Sequence, residues 1–283
     1  MKFVCFLLAL IGMMMPVEAA HVSAFPNGID DGSEVLTVDL PIVMYHKVKN
    51  STGKYIITPE QLEDDFTAIL ESGFTPVFMS EVIDWVDGHG ELPAKPIVIT
   101  FDDGYYNNLY YGVPLAQKLG IKFMFNPVTE YSRRAVNSKE PCNPAYSYAT
   151  WDQMKEAVDS GVVEIGNHSH KMHEFKPRFG IARLSSESHE EYAEALKNDI
   201  LQAQAILQQC GIPKPLTFAY PFGKYSKEGR EVLCELGFRA MLTCTEKVSK
   251  VTKGDPTSLY NLGRFNRDGG MSTARLIKNI SKV

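Results

Sequence analysis

The stretch IVITFDDGYYNN, residues 97–108, is an apolar run that stops at two adjacent acids and a glycine, with no basic residue beside them in the chain. Ile97 to Phe101 are all β-branched or aromatic, the composition of a strand. A strand buried on both faces reads as a continuous apolar run rather than an alternation. Its exit into Asp102 and Asp103 is the anomaly. Two neighbouring carboxylates repel, and low-dielectric surroundings raise one of their pKa values unless a positive charge sits against them. Asp-Asp-Gly is also ordinary turn chemistry, so a cap or turn and a functional pair both fit this segment.

Outward from that strand the chain alternates. VLTVDLPIVMYHKV (35–48) reads as one strand. TPEQLEDDFTAILESG (58–73) reads as an amphipathic helix, opened by a Thr58/Gln61 capping box and closed at Gly73. FTPVFM is strand-like, SEVIDWVDG helical, NLYYGVPLAQKLG helical and IKFMFNPV a strand. TWDQMKEAVDSG opens with Thr150 and Gln153 as a second capping box, and VVEIGN follows as a strand. A long helix runs from Ser188 to Gly211, and PLTFAYPF, SKEGREVLCELG and FRAMLTC continue as strand, helix and strand. Repeated alternation of this kind implies a parallel sheet with crossover helices.

The chain has 283 residues. About 250 remain once the first segment is set aside, a usual size for one α/β barrel. MKFVCFLLALIGMMMPVEAA has a lysine, an uncharged apolar run and small residues near its end, the construction of a secretory signal. The expected organisation is a signal peptide over 1–19, a linker over 20–34 and one catalytic domain over 35–283, giving a secreted or cell-envelope protein with no transmembrane domain in its mature form. The formal net charge of −5 argues against nucleic acid as a partner. Cys142, Cys210, Cys234 and Cys244 match no zinc spacing; disulfides and buried free thiols both fit.

The unusual residues recur at strand ends. His46 follows PIVMY, Asp102 and Asp103 follow PIVITF, His168, His170 and His173 follow VVEIGN, and Pro221-Phe222-Gly223 follows LTFAY. In a parallel barrel the carboxyl ends of the strands form the functional rim. No glycine-rich phosphate loop follows the first strand to suggest a dinucleotide fold. Three of the chain's seven histidines lie in HSHKMH (168–173). A divalent metal held by neutral imidazoles and one carboxylate would keep the aspartates ionised and leave positions open for catalysis. Such a centre lowers the pKa of a bound water from 15.7 toward about 7, and an unligated aspartate could take the proton.

TFDDGY (100–105), GNHSHKMH (166–173) and, more loosely, YPFG (220–223) resemble the three motifs of the polysaccharide deacetylases, carbohydrate esterases with a NodB-type domain. The resemblance runs from PIVMYH through GRFNR. It implies a distorted, TIM-barrel-like (β/α) barrel of about seven strands, a divalent metal, and removal of acetyl groups from a glycan. By motif position it implies Asp102 as general base, Asp103, His168 and His173 as metal ligands, and the backbone N–H of about Phe222 as oxyanion donor. Zinc suits two imidazoles and a carboxylate best, and cobalt, nickel or iron satisfy the same set. The five-residue spacing of His168 and His173 is similar to the branch acting on poly-N-acetylglucosamine. His170 shares a strand face with His168 and a helical face with His173, so an exchange of roles stands open.

Several positions depart from the family pattern. The arginine that braces the base is replaced by Ala219, and Arg264 in LGRFNR reads as a surface arginine more readily than as its substitute. Cys244 stands where a late histidine would supply an acid; His46 and protonated Asp102 are the candidate replacements. Tyr105, Tyr106, Tyr110, Tyr111, Tyr220, Phe222 and Tyr225 are expected near the rim as core or as a glycan platform. Lys171, Lys176, Arg178 and Arg183 form either a solvated insertion or a contact for an anionic polymer. The expected activity is hydrolysis of N-acetyl groups on an N-acetylglucosamine-containing polysaccharide such as peptidoglycan or poly-N-acetylglucosamine. The alternatives are O-acetyl ester cleavage on xylan and a catalytically silent glycan-binding barrel.

Overall fold

Seven short parallel strands close into a ring: β1 (Ile42–Tyr45), β2 (Pro96–Asp103), β3 (Phe123–Pro127), β4 (Val163–Ile165), β5 (Thr217–Ala219), β6 (Ala240–Leu242) and β7 (Phe265–Asn266). The computed structural model describes residues 35–282; the expected signal peptide and linker lie outside the described residues. Continuous ladders join β7 to β1, β1 to β2, β2 to β3, β3 to β4, and β5 to β6. Two seams are thinner. Single parallel bridges, Asn167 with Phe218 and Leu242 with Leu262, close β4 onto β5 and β6 onto the approach to β7. This uneven closure is what distorts the (β/α) barrel.

β1 is buried throughout and β2 at all but its last residue, which explains their unbroken apolar runs. Around the ring pack α1 (Pro59–Glu71), α2 (Met79–Val86), α3 (Tyr106–Leu119), α4 (Thr129–Val136), α5 (Trp151–Asp159), α6 (His189–Gln209), α7 (Lys227–Glu235) and α8 (Thr273–Ile280). Capping boxes open α1, α5 and α6 at Thr58, Thr150 and Ser188. Tyr45 stacks on Phe101 with ring centroids 5.0 Å apart, in the main core cluster with Phe66 and Phe123. Burying each such side chain contributes about 1.5–3 kcal/mol. Among the described residues no helix is long and apolar enough to cross a membrane.

Two elements differ from the sequence reading. The single strand expected over 35–48 is divided at Pro41, which has no N–H to give to a ladder. Thr37–Leu40 leaves the barrel to pair antiparallel with Ser249–Thr252, and only Ile42–Tyr45 joins the ring. α4 was not expected, because its buried face is Thr129, Glu130, Ser132 and Ala135, and a polar face gives no hydrophobic period.

The stretch RFNR carries a buried arginine at each end. Residues three apart on extended chain point to opposite sides. Arg264 turns toward β2, while Arg267 pairs with Asp65 of α1, Nε to Oδ2 at 2.6 Å. Asp65 also accepts from Thr273 Oγ1 at 2.6 Å and from the Tyr45 hydroxyl at 3.3 Å. This network ties α1, β1 and α8 to the last strand and holds Arg264 over the site.

Candidate active site

The opening anomaly has its answer in Arg264. Its guanidinium is fully buried and meets Asp102 at two points, Nη1 to Oδ1 at 2.9 Å and Nη2 to Oδ2 at 2.8 Å. The surface position expected for Arg264 is therefore corrected. Ala219 removed the local brace, and the approach to β7 supplies one from across the barrel. Arg264 Nε donates to the Thr243 carbonyl at 2.9 Å and Nη1 also to Thr100 Oγ1 at 3.3 Å, so the group is held from three sides. Asn126 Nδ2 donates to Asp102 Oδ1 at 2.8 Å, as the register pairing Asp102 with Asn126 dictates. Burial pushes the Asp102 carboxyl up, but the Arg264 charge, His168 and the Arg264 hydrogen bond outweigh it and hold it well below the usual carboxylate range.

Asp103 turns out of the strand with φ of 71°, a left-handed conformation that costs a non-glycine residue on the order of 1–3 kcal/mol. The turn brings its carboxylate to His168 and His173. Asp103 Oδ1 lies 3.2 Å from His173 Nε2 and 3.7 Å from His168 Nε2. One donor atom from each of Asp103, His168 and His173 lies within 4.8 Å of the others. His168 Nδ1 sits 2.7 Å from the Ala219 carbonyl, which can only accept, so Nδ1 carries the proton and Nε2 presents its lone pair. Burial lowers the His168 pKa to about 4, leaving the imidazole neutral near pH 7. An acid and two imidazole nitrogens converging in this way fit a divalent cation, and zinc, cobalt, nickel and iron all accept that donor set.

His170 does not join them. Its Nδ1 pairs with Thr129 Oγ1 at 2.9 Å and its Nε2 faces Glu130 at 3.7 Å. The turn that separates it from its neighbours passes through Ser169 at φ of 74°. Asp199 of α6 clamps this turn, accepting the backbone N–H of His170 at 2.8 Å and of Lys171 at 2.7 Å. From the other side the first amides of α4, Thr129 and Glu130, donate to the carbonyls of Ser169 and His170. Both histidines of the candidate centre thus hang from one loop pinned between two helices.

The site opens into a cavity of about 880 Å³ lined in part by His46, Tyr105, Phe222 and Cys244. Burial lowers the His46 pKa and raises that of the Cys244 thiol. Phe222 stands on a short turn, Pro221–Gly223, with φ of 57° and ψ of 15°, and its ring lies 4.5 Å from that of His173. Of the seven aromatics expected near the rim, Tyr105, Tyr220 and Phe222 line the cavity. Tyr110 and Tyr111 instead flank Pro59 and Leu62 on the outside of α1 and α3. Tyr106 packs on Tyr110, and Tyr225 stacks on Tyr220. Phe175 and Phe179, read as part of a basic insertion, line the cavity. That insertion offers less free charge than its composition suggests, since Arg178 is paired with Glu187. Cys142, Cys210, Cys234 and Cys244 are all free thiols.

Residues 89–241 match the family model described as polysaccharide deacetylase. Over 90% of its length the chain is 22% identical to a poly-beta-1,6-N-acetyl-D-glucosamine N-deacetylase of Escherichia coli (strain K12), and the match covers 42% of that protein. The chain therefore spans less than half the length of this curated relative. Among solved structures, IcaB from Ammonifex degensii superposes with a TM-score of 0.71 at 24% identity, covering 86% of this chain and 97% of that one. The Streptococcus pyogenes deacetylase PplD in complex with acetate gives a TM-score of 0.68 at 20% identity, covering 87% and 100%. At these identities the likeness shows the fold.

Proposed function

Because this chain belongs to the polysaccharide deacetylase family, we propose that it is a metal-dependent hydrolase that removes N-acetyl groups from an N-acetylglucosamine-containing polymer. Similarity to a poly-beta-1,6-N-acetyl-D-glucosamine N-deacetylase favours poly-N-acetylglucosamine over peptidoglycan as that polymer. One observation carries the reading: an Arg264-braced carboxylate, Asp102, stands next to a second, Asp103, whose oxygen faces two histidine nitrogens in an open cavity. A glycan binder needs no such pairing of a free base with a cation site.

In this mechanism Asp103, His168 and His173 hold the cation, which when bound acidifies water and polarises the acetamide carbonyl. Asp102 takes the proton of the attacking water. Its low pKa makes it a weak base, so it suits a water already acidified. Once protonated, the same carboxyl is a strong acid and can pass the proton to the departing amine, a better donor than the Cys244 thiol or a neutral, buried His46. The backbone N–H of Phe222 is assigned to the oxygen that gains charge, and a backbone donor is independent of the side chain. The apolar, leader-like composition of residues 1–20 supports action outside the cytoplasm.

The deciding experiment is acetate release from poly-N-acetylglucosamine, peptidoglycan, chitin oligomers and acetylxylan by metal-stripped protein, with and without added zinc. Zinc-restored release with a free amine in the product is expected. Silence on every polymer with zinc bound would sink the catalytic reading, and a free hydroxyl from acetylxylan alone would move it to ester cleavage.

A further inference from the structure

We propose that Phe175, Phe179 and Phe222 form a stacking subsite for a neutral pyranose ring adjacent in the polymer to the unit being deacetylated, an inference that rests on the function proposed above. Phe175 is 68% exposed, a large apolar side chain held in water at the mouth of the cavity. Its ring lies 4.4 Å from that of Phe222 at 27°, and Phe179 lies 5.0 Å from Phe222 at only 8°. The three rings stack on one another, and Phe175 is the exposed member of the stack. The stack continues into the candidate centre through the contact of Phe222 with His173.

Bonds of the loop itself hold this stack in place. The Gly180 N–H donates to the Glu174 carbonyl at 3.0 Å and closes the loop that carries Phe175 and Phe179. Gly180 has φ of 58°, and a Cβ there would come within 2.7 Å of the Pro221 carbonyl oxygen, so the loop is seated directly on the turn that carries Phe222. Arg178 fastens its far side, with Nη1 donating to the Ala182 carbonyl at 2.7 Å and to Glu187 at 2.9 Å. Little conformational freedom is left to lose when something stacks there.

The chemistry of the surroundings selects a neutral sugar. Aromatic faces attract the apolar C–H face of a pyranose, and of the three rings Phe175 is the one exposed to offer it. Lys47 and Lys54 on the cavity wall are outnumbered by Asp102, Asp103, Glu246 and Asp268, so the lining has no positive excess to draw a polyanion. A cavity of about 880 Å³ lies toward the upper end of ligand sites, about 300–1,000 Å³, and takes more than the single unit over the cation.

The test is binding, by calorimetry, of a β-1,6-linked N-acetylglucosamine pentamer and of the monomer to Asp102→Asn protein, which requires no turnover. In Phe175→Ala the pentamer-to-monomer affinity ratio is expected to fall about ten-fold, and Phe175→Trp is expected to restore it. An unchanged ratio in Phe175→Ala, or no rescue by Phe175→Trp, overturns the subsite while leaving the deacetylase reading intact. A ratio that responds as expected in a protein whose parent releases no acetate supports the subsite and sinks the catalysis. Failure of the pentamer to bind at all overturns the subsite.

Discussion

Arg264 and Asp102 are separated by 162 positions in the chain and meet in a buried two-point ion pair. The pair fixes both the charge and the orientation of the candidate base. A lone Asp102 would be pushed toward its neutral form by burial, and the carboxylate persists because the guanidinium is equally shut off from water. Cutting one partner from such a pair leaves an uncompensated buried charge, at a cost of about 3–5 kcal/mol.

Replacing Arg264 by Met should therefore change the pH profile as well as the stability. Without the guanidinium, burial is the dominant influence on Asp102 and acts upward. The acid limb of kcat/KM should move to higher pH, with activity partly recovered as pH rises. Arg264→Lys keeps a charge but loses the two-point geometry, and should move the limb less. Limbs that coincide in wild type and Arg264→Met would show that Asp102 is not the titrating base.

Asp102→Asn removes the proton acceptor and keeps the shape. Acetate release should drop by at least about 10²-fold, with zinc binding at Asp103, His168 and His173 close to wild type. Persistence of activity in this variant would remove Asp102 from the reaction.

Much of this arrangement is legible in the chain, for local reasons. Capping boxes at Thr58, Thr150 and Ser188 are patterns within four residues, and apolar runs ending in Asp102 or His168 announce buried strands that deliver polar groups to a rim. The partner of Arg264 is set by closure of the ring between β7, β1 and β2, which no window of sequence contains, so the chain alone points to a surface position that the fold overturns. Set between Leu262 and Phe265, both buried, Arg264 did carry a signal: an arginine drawn in among buried apolar neighbours requires a buried acid. Phe175 and Phe179 were hidden among lysines and arginines, and only the folded loop turns their rings together.

The clamp on the histidine loop predicts an effect at a distance from the cation. Asp199 contacts none of the proposed ligands, yet it accepts the two amides that follow the strained Ser169 turn. Asp199→Ala frees both. Zinc affinity, measured by competition with a chelator, should weaken about 10–100-fold, the range for lost supports of metal ligands. Asp199→Asn keeps one good acceptor and should fall between. Unchanged affinity in Asp199→Ala would mean that the loop is held by α4 alone.

Gly166 is required by a side chain rather than by its own backbone angle. A Cβ there would lie 2.0 Å from Asn126 Oδ1, displacing the amide that donates to Asp102. Gly166→Ala should lower kcat/KM to the level of Asn126→Ala. The double variant should be no worse than either alone, because shortening Asn126 vacates the space the methyl needs. Additive losses would show that Gly166 acts by another route.

Glu130 offers a test through stability. It opens α4, where its N–H helps pin the histidine loop, and its side chain is 6% exposed and paired with Arg133 at 2.7 Å and Arg134 at 3.0 Å. The hydrogen bond from Arg133 outweighs burial and, with Arg134, takes its pKa from the ordinary 4.5 to about 2. A depressed carboxyl stabilises the fold above its unfolded pKa, and that contribution disappears as pH falls toward the folded value. Glu130→Gln has nothing to titrate. Wild type should exceed it in Tm at pH 7 by about 2–4 °C, since both arginines are largely exposed and the pairing contributes on the order of 1 kcal/mol. That gap should narrow between about pH 4.5 and pH 2, and added salt should narrow it at pH 7. A gap constant across pH would mean that the carboxylate's charge does not hold α4 in place, and would leave the two backbone amides as the loop's anchor on that side.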